Sequence, residues 1–288
     1  MKILFLLVNY FNDEETCLFI TKQLLHQSVR DFNILIVDNG SRDRAKLESF
    51  AGMHKEITLA GHGNNLGYIG GAAYGLKKFL EAGNEIPELV ILSNTDIEFA
   101  DDHFVANLCS ISEKTDFDIL GPDIFSDMLH HHQNPLMDKR ISIGKLRILT
   151  FLSSSAWLHY LFLIYYYSRH HLMRRFGKER LRSQYPRTVY GIHGAFMIFR
   201  NTFFGKGGSF DSPLNLFGEE IFISELALEK NMNVVFDPSL KIIHHEHSTT
   251  RVFKSRQAVK QLHASYLTLL TNRVERDKKE KQRSGHSA

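Results

Sequence analysis

Cysteine is nearly missing from this sequence: Cys17 and Cys109 are the only two in 288 residues, too far apart for a metal-ligand spacing. That excludes a disulfide scaffold and fits a reducing cytoplasm, with both thiols acting as small buried apolar groups. A cleavable leader is not expected either. Ile3–Val8 is apolar enough for a signal-peptide core, but Asn9, Asn12, Asp13, Glu14 and Glu15 follow with no small-residue cleavage site, so the run reads as a buried first strand. There is no Gly-Lys-Ser/Thr phosphate loop and no internal repeat.

What is present is an ordinary globular balance, 43% hydrophobic and 23% charged, with a net charge of +3 that is unevenly spread. Residues 169–187 hold seven Lys/Arg against one Glu, and residues 251–288 hold ten against three acids, so the rest of the chain is acidic. Two basic segments on an acidic body point to a polyanionic surface, and an anionic membrane leaflet is the expected one. No recognised nucleic-acid module accompanies the basic tail, so no nucleic-acid partner is expected.

Short apolar runs alternate with helical stretches through the first half. Lys2–Val8, Asn33–Val37, Ile57–Ala60 and Leu89–Leu92 read as strands. Asn12 with Glu15 offers a capping box for a helix to about residue 28, and another helix runs from the glycine-rich Asn64–Gly71 to about Ala82. Strands separated by helices imply an α/β, doubly wound, mostly parallel mixed sheet, with ligands at the carboxyl ends of its strands. The rhythm breaks after Gly121-Pro122 and resumes at Gly194–Phe199. The expected division is therefore 1–122, a helical insertion at 123–187, a second half at 188–253, and a C-terminal helix over 254–275 with a disordered basic remainder. Val234–Phe236 and Lys241–Ile243 read as two short strands.

Polar residues stand at three strand ends: Asn9, Asp38 and Asp96. Asp38 can accept the imide N3–H of uracil or thymine, or simply form a turn with Asn39-Gly40-Ser41. Asn65, Gly67 and Gly70 precede or open a helix, where backbone N–H groups can approach phosphates. Asn94-Thr95-Asp96 places a carboxylate where Mg²⁺ or Mn²⁺ could bridge two phosphates, with a further ligand drawn from His244, His245 or His247. Glu219 and Glu220 open a helix, where both gain from the dipole. Their side chains point about 100° apart, so one can serve as general base while the other orients loops or acceptor.

Seven segments then fall in one order. They are Leu7-Val8-Asn9-Tyr10, Val37 to Ser41, Asn65 to Gly71, Leu92 to Asp96, His193 to Met197, Phe217-Gly218-Glu219-Glu220, and His244 to Ser248. The series resembles family 2 glycosyltransferases of the GT-A fold, in particular their bacterial rhamnosyltransferase-like branch. The resemblance implies a metal-dependent inverting enzyme. It would move a sugar from a uridine or thymidine diphosphate donor to the hydroxyl of a glycan or lipid-linked acceptor, in bacterial surface polysaccharide or glycolipid synthesis. It further implies that Asp38 holds the base, Asp96 and His244 the metal, and Glu220 the acceptor proton.

Ile148–Ser168 contains no Asp, Glu, Lys or Arg, but serines and His159 dilute it and its aromatics cluster. A full span would put Asp96 and Glu220 on opposite sides of a membrane. An interfacial helix anchored by Arg169, Arg174, Arg175, Lys178, Arg180 and Arg182 is expected instead, peripheral to the inner face of the plasma membrane. The competing readings are a sugar-phosphate nucleotidyltransferase, disfavoured because the first strand leads into no basic glycine loop, and a non-catalytic transferase-like domain docked at a membrane.

Overall fold

The computed structural model describes residues 2–61, 64–175, 184–212, 214, 218–246 and 256–285. Its centre is a mixed sheet. β1 (Ile3–Asn9) pairs in parallel with β2 (Phe32–Asp38), and β2 pairs in parallel with β3 (Ile57–Gly61). On its other side β1 pairs in parallel with β4 (Leu89–Ser93). Further along the chain come β5 (Ile97–Phe99), β6 (Ile119–Ser126), the short β7 (His131–His132) and β8 (Arg187–Thr188), then β9 (Phe196–Arg200) and β10 (Val234–His244). The order β3-β2-β1-β4-β9-β6-β10-β5 is parallel at its first four strands, and β9 runs antiparallel to both β4 and β6. The fold is α/β with a largely parallel mixed sheet flanked by helices, as the alternation of the sequence implies.

β1 shows why the apolar run is continuous. Ile3, Phe5 and Leu7 join one core cluster while Leu4 and Leu6 join another on the opposite face. A central parallel strand is covered on both sides and has no polar face.

The helices are α1 (Asp13–Phe19), α2 (Arg44–Gly52), α3 (Tyr68–Glu81), α4 (Phe104–Lys114), α5 (Ile143–Ser153), α6 (Ala156–Arg175), α7 (Asn201–Gly205), α8 (Glu219–Glu229) and α9 (Arg256–Gly285). Several depart from the sequence reading. α1 continues as a π-helical turn over Ile20–Leu24 and ends there, and its capping box does not form. Asn12 instead accepts from Tyr10 N and donates to Thr95 Oγ1, tying the helix start to the loop after β4.

The two strands expected at the end of the chain are one strand, β10, with a register shift between Asp237 and Lys241. There Asp237 Oδ1 accepts from both the backbone N and the hydroxyl of Ser239. The single helix expected here is two helices, α5 and α6, bent by 118°. Serines cause the break: Ser153 Oγ donates to the Thr150 carbonyl and Ser154 Oγ to that of Phe151, competing for the bonds that would continue the helix. The disordered remainder is also corrected. α9 runs to Gly285, held by Arg273 and Arg276 on the carboxylate of Glu225.

Candidate active site

β5 runs antiparallel to β10, with Ile97 opposite His244, and His245 N donates to the Asp96 carbonyl at 2.9 Å. The pairing sets Asp96 beside His244, with Asp96 Oδ1 3.3 Å from His244 Nε2. Both side chains are buried, and beyond this contact neither the Asp96 oxygens nor His244 Nε2 makes a well-formed hydrogen bond among the described residues. Such orphaned buried polar atoms are rare and call for an explanation. Burial raises the Asp96 carboxyl, but the adjacent His244 imidazole outweighs it, with help from Asn94, and holds the acid below its ordinary range.

Gln133 supplies the other half of this arrangement. Its Nε2 donates to Glu246 Oε1, so its Oε1 is left to accept from His244 Nδ1 at 2.8 Å. Held this way at Nδ1, the ring points Nε2 at Asp96, the outer-shell arrangement by which a metal-binding imidazole is oriented. The residues therefore fit a divalent ion. No group of three or more His, Cys, Asp or Glu suited to a metal occurs among the described residues. Two protein ligands suit an ion that draws the rest from phosphate oxygens and water, as Mg²⁺ and Mn²⁺ do.

His245 is otherwise engaged. Its ring lies 2.5 Å from Asp127 Oδ2 through Nδ1 and 2.9 Å from Glu98 Oε2 through Nε2. Burial lowers this imidazole, but the two carboxylates prevail and raise it. His247 lies outside the described residues.

β9 delivers the next wall. Asn94 N donates to the Ala195 carbonyl at 2.8 Å, bringing His193-Gly194 against the loop that carries Asp96. The His193 and His244 rings are 5.8 Å apart. Burial, with His244 and His131 nearby, pushes His193 down to about 3, so it is neutral, and its Nδ1 accepts from Ala195 N. A Cβ on Gly194 would lie 2.8 Å from Glu220 Oε1, so only glycine lets that carboxylate settle on the backbone here. Burial raises the Glu220 carboxyl above its ordinary range, against the pull of its own backbone N–H and that of Gly194. Ile119, Ile192, Met197, Ile223, Ser224 and Val234 pack around it.

Tyr68, the first residue of α3, joins the two halves. Its hydroxyl is buried without a hydrogen-bond partner among the described residues. Burial raises the phenol, and the fields of Asp96, Glu219 and Glu220 raise it further. Asp96, His244, Glu219 and Glu220 therefore share one site, together with His193 and Tyr68. From the far side α9 contributes Tyr266, pushed up to about 12 by burial and by Glu220.

The remaining sequence candidates line the same sheet edge. Asn9 and Asp38 are in register at the carboxyl ends of β1 and β2, while Leu7 faces Ser93 on β4. With strands about 4.8 Å apart, Asp38 and the Asp96 loop are separated by roughly 10 Å. Asn9 is fully buried, its amide donating to Asp13 Oδ1 and accepting from Thr16 Oγ1, which makes it scaffold rather than a direct ligand contact. Asp13 in turn accepts from Arg42 N and Asp43 N, shaping the loop after β2.

Asp38 is turned inward as well. Its side chain is 1% exposed and accepts from Gly40 N, Ser41 Oγ and Arg44 Nη1. Asn39 clamps the glycine loop, donating to Asn65 Oδ1 and the Gly67 carbonyl and accepting from Leu66 N. Gly67 caps α3 at φ +75°, a conformation that side chains resist. Gly70 sits on the first turn, its Cβ position 3.4 Å from that of Leu66.

Asn39, Tyr68, Gln133, His193 and Tyr266 were not singled out from the sequence. Asn39, Tyr68 and His193 lie inside segments already quoted for their neighbours. Gln133 and Tyr266 carry no sequence signal, because their partners are more than a hundred residues away for Gln133 and on another helix for Tyr266.

The sequence model described as Glycosyl transferase family 2 matches residues 6–204. This chain belongs to that family. No curated protein matches it. Among solved structures, the family 2 chain is similar to GalNAc-T7 with UDP, GalNAc and Mn²⁺, with a TM-score of 0.55 and 14% identity over 85% of this chain and 44% of that one. It is similar to the mannosyltransferase PcManGT from Pyrobaculum calidifontis in complex with GDP-Man and Mn²⁺, with a TM-score of 0.52 and 13% identity over 92% and 64%. It is also similar to S. aureus TarS 1-349 in complex with UDP-GlcNAc, with a TM-score of 0.53 and 12% identity over 93% and 72%. The family 2 chain thus spans less than two thirds of the length of the first two, and at these identities the likeness is one of fold.

Proposed function

We propose that this chain is an inverting, metal-dependent glycosyltransferase that moves a hexosyl group from a uridine or thymidine diphosphate sugar to an acceptor hydroxyl. The observation that carries the reading is one wall holding two complementary devices. The Asp96–His244 pair suits a divalent ion, and a carboxylate of raised basicity, Glu220, rests on Gly194, next to the residue that bonds the Asp96 loop. The proposed acceptors are a glycan or lipid-linked hydroxyl in bacterial surface polysaccharide or glycolipid synthesis. The order of the seven segments supports the rhamnosyltransferase-like branch. The free thiols of Cys17 and Cys109 agree with a cytoplasmic site of action.

In this reading Asp96 and His244 Nε2 hold Mg²⁺ or Mn²⁺. When bound, the ion neutralises charge developing on the departing diphosphate. The N-terminus of α3, with Gly67 and Gly70, presents backbone N–H groups to phosphate oxygens. Tyr68 donates its unpartnered hydroxyl to an oxygen of the donor between the acids. Glu220 takes the acceptor proton as that oxygen attacks the anomeric carbon from the face opposite the diphosphate, which inverts the centre. Glu219 orients the acceptor. Asp38 receives the imide N–H of the base once Arg44 and the Gly40-Ser41 turn make way.

Incubation with uridine and thymidine diphosphate sugars plus Mn²⁺ or Mg²⁺ tests this by release of nucleoside diphosphate. The expected result is metal-dependent release that Asp96→Ala abolishes, while Glu220→Gln binds donor without transferring. Release of pyrophosphate from a nucleoside triphosphate and a sugar phosphate would instead identify a nucleotidyltransferase. No turnover of any donor would leave a non-catalytic domain.

A further inference from the structure

α5 and α6 carry a surface that the transfer chemistry does not use. On α5, Leu146, Thr150 and Ser153 face inward, while Ile148 and Phe151 stand 59% and 65% exposed. On α6, Trp157, Leu161, Ile164 and Tyr165 are between 60% and 76% exposed. Their spacing of four, seven and eight residues from Trp157 lays them along one helix face. A stripe of large apolar side chains on two adjoining helices is not an ordinary solvated surface.

Along the chain this segment carries charge of one sign. No Asp or Glu stands between Asp138 and Glu179, whereas eight Lys/Arg do. Of these Arg140 is paired with Glu225, and Lys139, Lys145 and Arg147 are exposed. A second copy of the chain would bring the same positive charge against this face. An anionic lipid surface matches both features, taking apolar and aromatic side chains into its interface and drawing Lys/Arg to its headgroups. Among the described residues no single helix is long and apolar enough to cross a membrane, and the bend of 118° breaks the one candidate pair. Two helices joined at such an angle can lie in an interface.

We propose that the outward faces of α5 and α6 dock on an anionic lipid bilayer. The inner face of α5 ties this surface to the site. Leu146 packs with Leu269 of α9 and with Ile221 of α8, the residue after Glu220. Docking would hold α8 one helix layer from the lipid, where a lipid-linked acceptor is found. That consequence rests on the transfer reading; the docking does not.

Trp157 is the only tryptophan in the chain, so the surface carries its own probe. The full chain is mixed with phosphatidylglycerol–phosphatidylcholine vesicles, with or without brominated acyl chains, and with phosphatidylcholine vesicles alone. Trp157 emission should shift to the blue and be quenched by bromine on the mixed vesicles, and added salt should weaken the binding. The double variant Phe151→Ser/Leu161→Ser should lower the partition coefficient at least roughly tenfold, since two exposed apolar groups lose their contact with lipid.

Emission neither shifted nor quenched on mixed vesicles overturns the proposal. So does a shift that grows with protein concentration in lipid-free buffer alongside a doubled mass, which assigns the face to a second copy. Equal binding to phosphatidylcholine alone overturns the anionic character of the partner. The measurement uses no donor, so failure of the transfer reading leaves it untouched. Donor hydrolysis by the double variant in lipid-free buffer should match the wild type.

Discussion

Gly194→Ala probes the proposed base without altering it. The new methyl would lie 2.8 Å from Glu220 Oε1, 3.3 Å from Cδ and 3.4 Å from Cγ. Carbon and oxygen at ordinary contact stand about 3.5 Å apart, so the carboxylate must retreat by roughly 0.5–1 Å. The fold has little at stake. The group that moves is a side-chain tip, Gly194 is not among the residues at positive φ, and an added Cβ stiffens the unfolded chain by about 0.4–1 kcal/mol in favour of folding. Catalysis has more at stake, because misplacing a reacting group by about 1 Å can cost on the order of a hundredfold in rate. The expected variant melts within a few degrees of the wild type, keeps its donor KM, and loses about 30- to 100-fold in kcat, or roughly 2–3 kcal/mol. Introduced into Glu220→Gln, the same change should cost nothing further, since the group it displaces no longer accepts a proton. A wild-type kcat in Gly194→Ala, or a full loss that persists in the Glu220→Gln background, would refute the placement of Glu220 as base.

Three further outcomes follow from named contacts. Gln133→Leu removes the acceptor that fixes the His244 tautomer and should weaken Mn²⁺ binding, measured by calorimetry, by about 10- to 100-fold. Tyr68→Phe deletes a buried hydroxyl with no partner among the described residues, so the melting temperature should stay level or rise while turnover falls; unchanged turnover would confine Tyr68 to packing. For Glu225, burial raises the acid but Arg140, Tyr190 and Arg273 outweigh it and hold it below 4.5. A depressed carboxylate contributes stability that is complete above its unfolded value and is lost as the pH falls through its folded one. The protection of α9 amides, taken relative to intrinsic exchange at each pH, should therefore fall below about pH 4 in the wild type, and Glu225→Gln should flatten that dependence.

Legibility in the sequence followed the distance over which each interaction acts. β1, β2 and β4 were readable because strands buried on both faces leave continuous apolar runs, as Ile3–Asn9 does. The strand-end acids Asp38 and Asp96 and the helix-opening Glu219-Glu220 were readable because turn and helix-start chemistry is local. β5 was missed: three residues carry no pattern, and their pairing partner lies near the far end of the chain. The break between α5 and α6 was written in Ser153-Ser154-Ser155, but an apolar run of that length masks the competition of those hydroxyls for helix carbonyls. The orientation of Asn9 and Asp38 could not be read at all. It depends on Asp13, Thr16 and Arg44, which decide whether a strand-end polar group faces a ligand or the scaffold.

The central claim is that Asp96 and His244 hold a divalent ion on the wall that also carries Glu220. Anomalous scattering from crystals grown with Mn²⁺ and UDP tests it directly. The account predicts a single Mn²⁺ peak in contact with an Asp96 oxygen and His244 Nε2, its other ligands drawn from diphosphate and water, with the Glu220 carboxylate still resting on Gly194. Mn²⁺ bound elsewhere, with Asp96 and His244 still facing each other unbridged, would contradict it.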